Sequence, residues 1–282
     1  MPLHSLVVGG TSGIGRGIAV TLARSGHDVT IAGRSEAAGQ EIVDEMKREA
    51  GESGGNEFKF EKLDAFDLAD VKALATRVSQ GPLDCLVLTQ GMATIQGFTP
   101  TKDGLDQKLQ LHVYSRHLLA RLLSPRLAES KNEGGGRVMS VLSAGVHGSY
   151  AKYSSDPMLK NSYSVKNAAD AAGFYNDIFL EGLAKTNPNV AYVHAAPGFV
   201  STSWGTEMPA PIRWAIRPLQ KAFGKDKYLC GEDLLKNFFQ VPKGKLTLID
   251  PAGGVGSATL APKHEESKEE VFAHLNEVLS QW

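Results

Sequence analysis

The 282-residue sequence predicts a doubly wound α/β fold, a single domain with about seven parallel strands and helices on both faces of the sheet. Short apolar runs rich in branched residues alternate with longer segments of helical period. This strict alternation implies right-handed crossovers, which build a parallel sheet covered on both sides. The hydrophobic content of 42% and charged content of 22% are ordinary for a globular chain long enough to bury a full core.

The apolar runs mark the strands, and the periodic segments between them mark the helices. The predicted strands cover residues 5–9, 28–33, 58–63, 84–89, 137–143, 190–196 and 245–249. The predicted helices cover residues 14–25, 36–50, 67–79, 104–130, 162–186, 231–240 and, at the C-terminus, 265–281. Turns rich in glycine, proline and asparagine separate these elements. We therefore treat residues 1–282 as one domain.

Charge and composition restrict which binding partners and which cellular location we expect for this protein. The formal net charge is −1 and no basic block is present, so we expect no nucleic-acid partner. Cys85 lies in an apolar run far from Cys230, which favours free thiols in a reducing compartment. No charged leader or long apolar run precedes Ser5 and no transmembrane segment is expected, so we predict a cytoplasmic location.

A glycine-rich loop joins the first strand to the first helix in the stretch VVGGTSGIGRGIA. Glycine lets the backbone turn sharply and lets a pyrophosphate approach the helix N-terminus. The unpaired N–H groups and the dipole of that terminus favour an anion. The predicted cofactor contacts in this loop are Gly9, Thr11, Ser12, Gly13, Ile14 and Gly15.

The spacing GxxxGxG resembles that of the short-chain dehydrogenase/reductase family, whose usual opening is TGxxxGIG, although Val8 replaces the family's threonine. Further along the chain, PGFVST at 197–202 is similar to the family's PGxVxT. The resemblance covers residues 5 to about 250 and implies a nicotinamide cofactor, a small-molecule substrate and a chain turn beneath the nicotinamide. The predicted contacts of that turn are Pro197, Gly198, Val200 and Thr202.

The residue after the second strand distinguishes a binding site for NAD from one for NADP. An acidic residue there binds the ribose 2′-hydroxyl of NAD, whereas an arginine accommodates a 2′-phosphate. Because this chain has Arg34 and Ser35, we expect NADP(H), with Arg34 as phosphate partner and Ser35 as hydroxyl donor, or else a solvated loop arginine. Asp64 resembles the family's adenine-binding aspartate, and Gly91 is the glycine retained from its NNAG segment.

Two further positions follow from the family's catalytic pattern. The segment Val141–Gly145 resembles SSxAG, which makes Ser143 the candidate to hydrogen-bond a substrate carbonyl, unless it only ends its strand. His112 stands where the family often has an asparagine that completes a water relay. A histidine there could support the relay or could be a hydrogen-bonded core residue.

The stretch NSYSVKN contains the candidate catalytic pair Tyr163 and Lys166. The family motif is YxxxK, whereas here the lysine follows at the third residue and Asn167 holds the fourth. Positions i+3 and i+4 of an α-helix both share a face with residue i, so we expect the flexible lysine to reach the phenol. Its ammonium would favour the phenolate and hold the nicotinamide ribose. The alternative is that the two residues lie on an ordinary helix face with no catalytic role.

Residues 201–230 break the strand–helix alternation and contain Trp204 and Trp214. An amphipathic helix is expected within 209–228. Its apolar positions are Ile212, Ile216, Leu219 and Phe223, and its basic positions are Arg213, Arg217 and Lys221. The resemblance implies a substrate lid, while a membrane-surface helix or a contact in a homo-oligomer would show the same pattern.

These features predict an NADP(H)-dependent ketoreductase or alcohol dehydrogenase. It would transfer a hydride between the nicotinamide and a carbonyl or secondary alcohol of a medium-sized, partly hydrophobic substrate, with Tyr163 as the acid or base. The shortened tyrosine–lysine spacing and His112 also suit an NADP(H)-binding module without redox turnover. A third alternative is a non-redox isomerase or cyclase that uses the same pocket.

Overall fold

The computed structural model describes residues 2–51, 55–202, 205 and 208–282, without the side chains of residues 213, 215 and 216. Within these ranges, seven parallel strands form one sheet in the order β3-β2-β1-β4-β5-β6-β7. The strands are β1 His4–Val8, β2 Asp28–Gly33, β3 Phe58–Lys62, β4 Cys85–Leu88, β5 Gly136–Val141, β6 Val190–Ala195 and β7 Leu246–Ile249. The predicted doubly wound sheet is confirmed.

The helices cover both faces of this sheet. They are α1 Gly13–Arg24, α2 Glu36–Ala50, α3 Leu68–Val78, α4 Gln107–Leu109, α5 Ser115–Ala128, α6 Val165–Thr186, α7 Ala210–Phe223, α8 Lys227–Leu235 and α9 His264–Val278. A 3₁₀ turn at Phe238–Gln240 follows α8. None of the described helices is long and apolar enough to cross a membrane.

Both faces of the central strands are buried, as a parallel sheet between two helical layers requires. In β4, Leu86 and Leu88 join the core beneath α3, α5, α6 and α9, while Cys85 and Val87 join the core beneath α1, α2 and α8. Cys85 and Cys230 are both buried free thiols. The continuous apolar runs of the sequence reflect this two-sided burial.

Three predicted helices differ from the observed ones. The predicted helix over 104–130 begins only at Gln107, after the cap Asp106, and widens into a π-helical turn at Gln110–Tyr114 before α5. The helix predicted over 162–186 begins at Val165, because Ser164 is extended and its hydroxyl caps the first turn. The helix predicted over 231–240 begins earlier, at Lys227, because Asp226 caps it.

Helix α8 packs directly on α1 through glycines. A Cβ atom on Gly17 would collide with the Lys227 carbonyl, and one on Gly231 would lie 2.8 Å from the Gly17 carbonyl carbon. The two backbones therefore touch at a place where no side chain has room. This contact holds the segment after β6 against the helix that follows the glycine-rich loop.

Candidate functional site

A cleft of about 360 Å³ lies at the carboxyl ends of β1 and β4, where the strand order reverses. Open α/β sheets bind ligands at this switch point. The structure brings most of the predicted cofactor contacts together here. Those that line the cleft are Gly9, Thr11, Ser12, Gly13, Ile14, Gly15, Arg34, Gly91, Pro197 and Thr202, joined by His112.

The glycine-rich loop packs closely against the end of β4. Gly9 has a φ of +83°, and a Cβ atom there would lie 2.6 Å from the Thr89 hydroxyl oxygen and 2.8 Å from the Gln90 nitrogen. A Cβ atom on Gly15 would collide with the Gly9 carbonyl. The loop therefore has room for glycine only, which leaves its backbone exposed to the cleft.

The N-terminus of α1 is suited to an anion. Ser12 precedes the helix in extended conformation, and among the described residues neither its side chain nor an acidic first-turn residue caps the backbone N–H groups. Gly13, Ile14 and Gly15 line the cleft at this terminus. Orphan N–H groups and the helix dipole would hold a pyrophosphate here, so the residues present fit the expected cofactor.

Arg34 supplies a positive charge beside the end of β2. Its guanidinium carbon lies 5.5 Å from the centroid of the Phe66 ring, and both residues line the cleft. The Phe66 ring restricts the guanidinium, whose N–H donors are able to hydrogen-bond a ligand in the cleft. Ser35 caps α2 by accepting from the Ala38 nitrogen at 3.2 Å, so its oxygen is used and its hydroxyl hydrogen can still be donated.

The other predicted cofactor residues lie around the cleft without lining it, as far as the described chain shows. Asp64 accepts from the Phe66 nitrogen at 3.0 Å, which fixes the turn after β3. Gly198 has a φ of +71°, and Val200 is buried. The adjacent Thr202 carbonyl accepts from Arg217 Nη1 at 2.7 Å, which ties this loop to α7.

The predicted convergence of Lys166 on Tyr163 is wrong. The Lys166 side chain is 81% exposed and its ammonium pairs with Asp170, one turn further along α6. Tyr163 precedes the helix, separated from it by the extended cap Ser164, so helical i+3 geometry does not apply to this pair. Tyr163 Oη instead accepts from Lys108 Nζ at 2.6 Å.

His112 belongs to the π-helical turn at the inner wall of the cleft. Its Nε2 accepts from the Met92 nitrogen at 3.1 Å, and its carbonyl accepts from Asn176 Nδ2 at 2.7 Å. Burial, aided by the charges of Arg116 and Lys108, lowers the pKa of His112 to about 3. The imidazole is therefore neutral and serves as an acceptor that fixes the loop after β4.

Arg116 is a cleft residue that sequence reasoning missed. Its side chain is fully buried and donates to the carbonyls of Gln90 at 2.6 Å and Val141 at 2.9 Å, and to the Ser140 hydroxyl at 2.8 Å. Burial lowers the pKa of Arg116 to about 9, so it stays charged near neutrality. The one signal was an arginine inside the otherwise apolar helix YSRHLLA.

Ser143 follows β5 beside a buried polar network. Its nitrogen donates to His194 Nε2 at 3.1 Å, whereas its buried hydroxyl oxygen has no hydrogen-bond partner among the described residues. Asp177 accepts from His194 Nδ1 at 2.6 Å and from His147 Nε2 at 3.0 Å. Ser143 is not among the described residues that line the cleft, so its hydrogen bond to a substrate carbonyl stays a prediction.

Charge coupling fixes the protonation of this network. Burial alone would raise the pKa of Asp177, but the charge of His194 and the hydrogen bonds from both histidines lower it to about 2. Burial lowers the pKa of His194, and the pKa of His147 is raised because Asp177 outweighs desolvation there. No spacing pattern in the sequence predicts this trio, which comes from three different elements.

Comparison with known proteins agrees with the fold and the cleft. The family model described as short chain dehydrogenase matches residues 4–210. The chain is 31% identical over 239 residues to "Oxidoreductase AN1596" of Emericella nidulans, covering 82% of this chain and 69% of that protein.

Two solved structures share the fold. An alcohol dehydrogenase from the archaeon Thermococcus sibiricus complexed with 5-hydroxy-NADP superposes with a TM-score of 0.65 at 17% identity, covering 88% of this chain and 96% of that one. A short-chain dehydrogenase from Sphingobium yanoikuyae in complex with NADPH gives 0.62 at 19% identity, covering 100% and 95%. With the matching family model, the sheet order and the glycine-lined cleft, this chain belongs to the short chain dehydrogenase family, whose members are oxidoreductases that bind a nicotinamide cofactor.

Proposed function

We propose that the protein is an NADP(H)-dependent oxidoreductase that reduces a carbonyl, or in the reverse direction oxidises a secondary alcohol. The observation that carries the cofactor choice is Arg34, a cation stacked on Phe66 where an NAD site would carry a carboxylate. The two solved structures whose titles name NADPH and 5-hydroxy-NADP support the same choice. When bound, the reduced nicotinamide supplies the hydride.

The protein's own part in the reaction is to hold the carbonyl and donate a proton to its oxygen. The unpaired Ser143 hydroxyl would bind that oxygen, and Tyr163 would be the proton donor. Burial, together with the charge of Asp106, raises the pKa of Tyr163, so the side chain is a phenol at neutral pH. A protonated tyrosine suits reduction better than oxidation, and we place the working direction there.

The substrate would be a medium-sized, partly hydrophobic molecule. The described residues at the surface near the chain after β6 include exposed Phe199 and, on α7, exposed Trp214, Leu219 and Phe223. We interpret residues 201–230 as the substrate lid, although Trp204 and the side chains of Arg213 and Ile216 lie outside the described residues. A cytoplasmic location is part of the same proposal, and a contact in a homo-oligomer through α7 is the alternative to the lid.

A binding module without turnover is the second candidate, and two observations favour it. Lys166 points to Asp170, and Tyr163 is not among the described residues that line the cleft. Such a protein would keep the cofactor site and lack the proton donor beside it. The two candidates differ in turnover and not in cofactor binding.

The test is NADPH consumption, followed by absorbance, against a panel of ketones and aldehydes with the protein, Y163F and the control Y153F. Tyr153 packs on Phe174 and is not among the described residues that line the cleft, so its hydroxyl should be dispensable. The oxidoreductase proposal predicts turnover that Y163F lowers by about 100-fold or more while Y153F leaves it unchanged. Tight NADPH binding without turnover on the whole panel would favour the module.

A further inference from the structure

Lys108 is a buried cation at the start of the helical segment that leads to His112. The Asp106 side chain caps this segment and accepts from the Lys108 backbone nitrogen at 2.9 Å. The Lys108 residue is only 5% exposed. The cap therefore fixes the backbone of a lysine whose side chain runs inward towards Tyr163.

The Lys108 ammonium has two oxygen partners. It donates to Tyr163 Oη at 2.6 Å and to the Gln96 carbonyl at 2.7 Å. Tyr163 Oη also donates to the same Gln96 carbonyl at 3.3 Å, and the Phe98 ring packs edge-on against the phenol at 6.0 Å. The phenol oxygen thus accepts from a cation while its hydrogen is held by a carbonyl of the loop after β4.

This arrangement is unusual for a lysine with only a structural role. Among the described residues, no carboxylate lies within ion-pair distance of the Lys108 ammonium. An ammonium removed from water without a carboxylate partner is costly, and an apolar side chain of similar length would avoid that cost. A phenol as partner points to chemistry at the phenol.

We propose that Lys108, and not Lys166, is the positioning residue that supplies an ammonium to Tyr163. The proposal rests on the proposed carbonyl reduction. There, the Tyr163 O–H bond breaks as its proton passes to the carbonyl oxygen, and a bound reduced nicotinamide would supply the hydride that the carbonyl carbon needs. Lys108 then gives a proton to the phenolate, regenerating the phenol, and the neutral amine takes a proton from water.

The surrounding charges set the pH range of this role. Burial lowers the pKa of Lys108, and the negative charge of Asp106 opposes this shift only in part. Besides Asp106, His112 faces the pair and stays neutral, and the pKa of Tyr163 itself is raised. Reduction needs the ammonium, so activity should fall as pH rises through the lowered pKa of Lys108.

The test uses K108M, K108R and the matched control K166M. The near-ultraviolet absorbance of each protein at neutral pH, minus that of the same protein carrying Y163F, isolates the absorbance band of the Tyr163 phenol. Because the Lys108 ammonium donates to the phenol oxygen, that band should shift in K108M relative to the parent and stay unchanged in K166M. This readout needs no turnover, so it separates failure of the proposal from failure of the proposed function.

Activity provides the second readout when a substrate is found. K108M should lower kcat by about 10–100-fold and remove the alkaline limb of the pH profile, whereas K108R should restore part of kcat and move the limb to higher pH. K166M should keep the parent profile. An unchanged Tyr163 absorbance band in K108M, or loss of activity in K166M with retention in K108M, would overturn the assignment.

Discussion

Arg34 is the residue on which the cofactor choice depends. R34A removes the charge that would pair with the 2′-phosphate, so NADPH affinity should fall by about 10–100-fold while NADH affinity changes little. Fluorescence titration of both cofactors measures this. R48A, which removes an exposed arginine from the last turn of α2, is the control. Equal losses for both cofactors in R34A would refute the 2′-phosphate role.

At the scale of single residues, the sequence was a good guide to the cofactor half of the site and a poor one to the catalytic half. The position of loop glycines such as Gly9 in the cleft could be predicted, because a strand, a glycine loop and a helix that follow one another in the chain can be arranged in few ways. The prediction for Lys166 assumed that the helix includes Tyr163. The helix begins only at Val165, because the Ser164 hydroxyl caps its first turn. Lys108 lies 55 residues from Tyr163 along the chain, so no local motif could join them.

The contact between α1 and α8 makes a prediction at the scale of elements. G17A places a methyl group against the Lys227 carbonyl, so the two helices must move apart. We expect a loss of about 1–3 kcal/mol in the free energy of unfolding, measured by urea denaturation. G81A has nothing within 4 Å of the added atom and should change stability by less than about 0.5 kcal/mol. Equal stability of the two variants would contradict the close packing.

Element boundaries were predicted well for strands and less well for helices. A strand buried on both faces ends where its apolar run ends, as in β4. The π-helical turn at Gln110–Tyr114 left no trace in the apolar periodicity, because its extra residue shifts the register only locally. Such turns are frequent at functional sites, and this one carries His112.

At the scale of the whole molecule, Asp177 links the helical layer to the sheet through His194 of β6 and His147 of the loop after β5. D177N leaves both histidines without their carboxylate. We expect a loss of about 3–5 kcal/mol in the free energy of unfolding at pH 7, measured by urea denaturation. D44N, at an exposed position of α2, should have little effect.

The same carboxylate predicts a pH dependence. The folded pKa of Asp177 is about 2, below its ordinary 3.8, so its contribution to stability is present above the ordinary value and is lost as pH falls towards 2. The raised pKa of His147 adds stability at low pH that is lost as pH rises through that pKa. Between pH 5 and 3 the parent should therefore lose more stability than D177N, and parallel curves would contradict this role.

The doubly wound sheet could be predicted for the whole molecule because seven apolar runs with helices between them allow few other folds. The polar network of Asp177 could not be predicted, because its three residues come from distant segments and each has an ordinary sequence context. Global topology follows from repeated patterns, whereas a site of this kind follows from single long-range contacts.

The most direct test of the account is the fate of the hydride itself. Reactions with NADPH carrying deuterium at one or the other C4 position would be run with a ketone that supports turnover, and the alcohol product analysed by mass spectrometry. We predict that one of the two labelled cofactors gives an alcohol heavier by one mass unit, with the label on the former carbonyl carbon. NADPH that binds tightly but transfers deuterium to no product across the panel would contradict the oxidoreductase assignment.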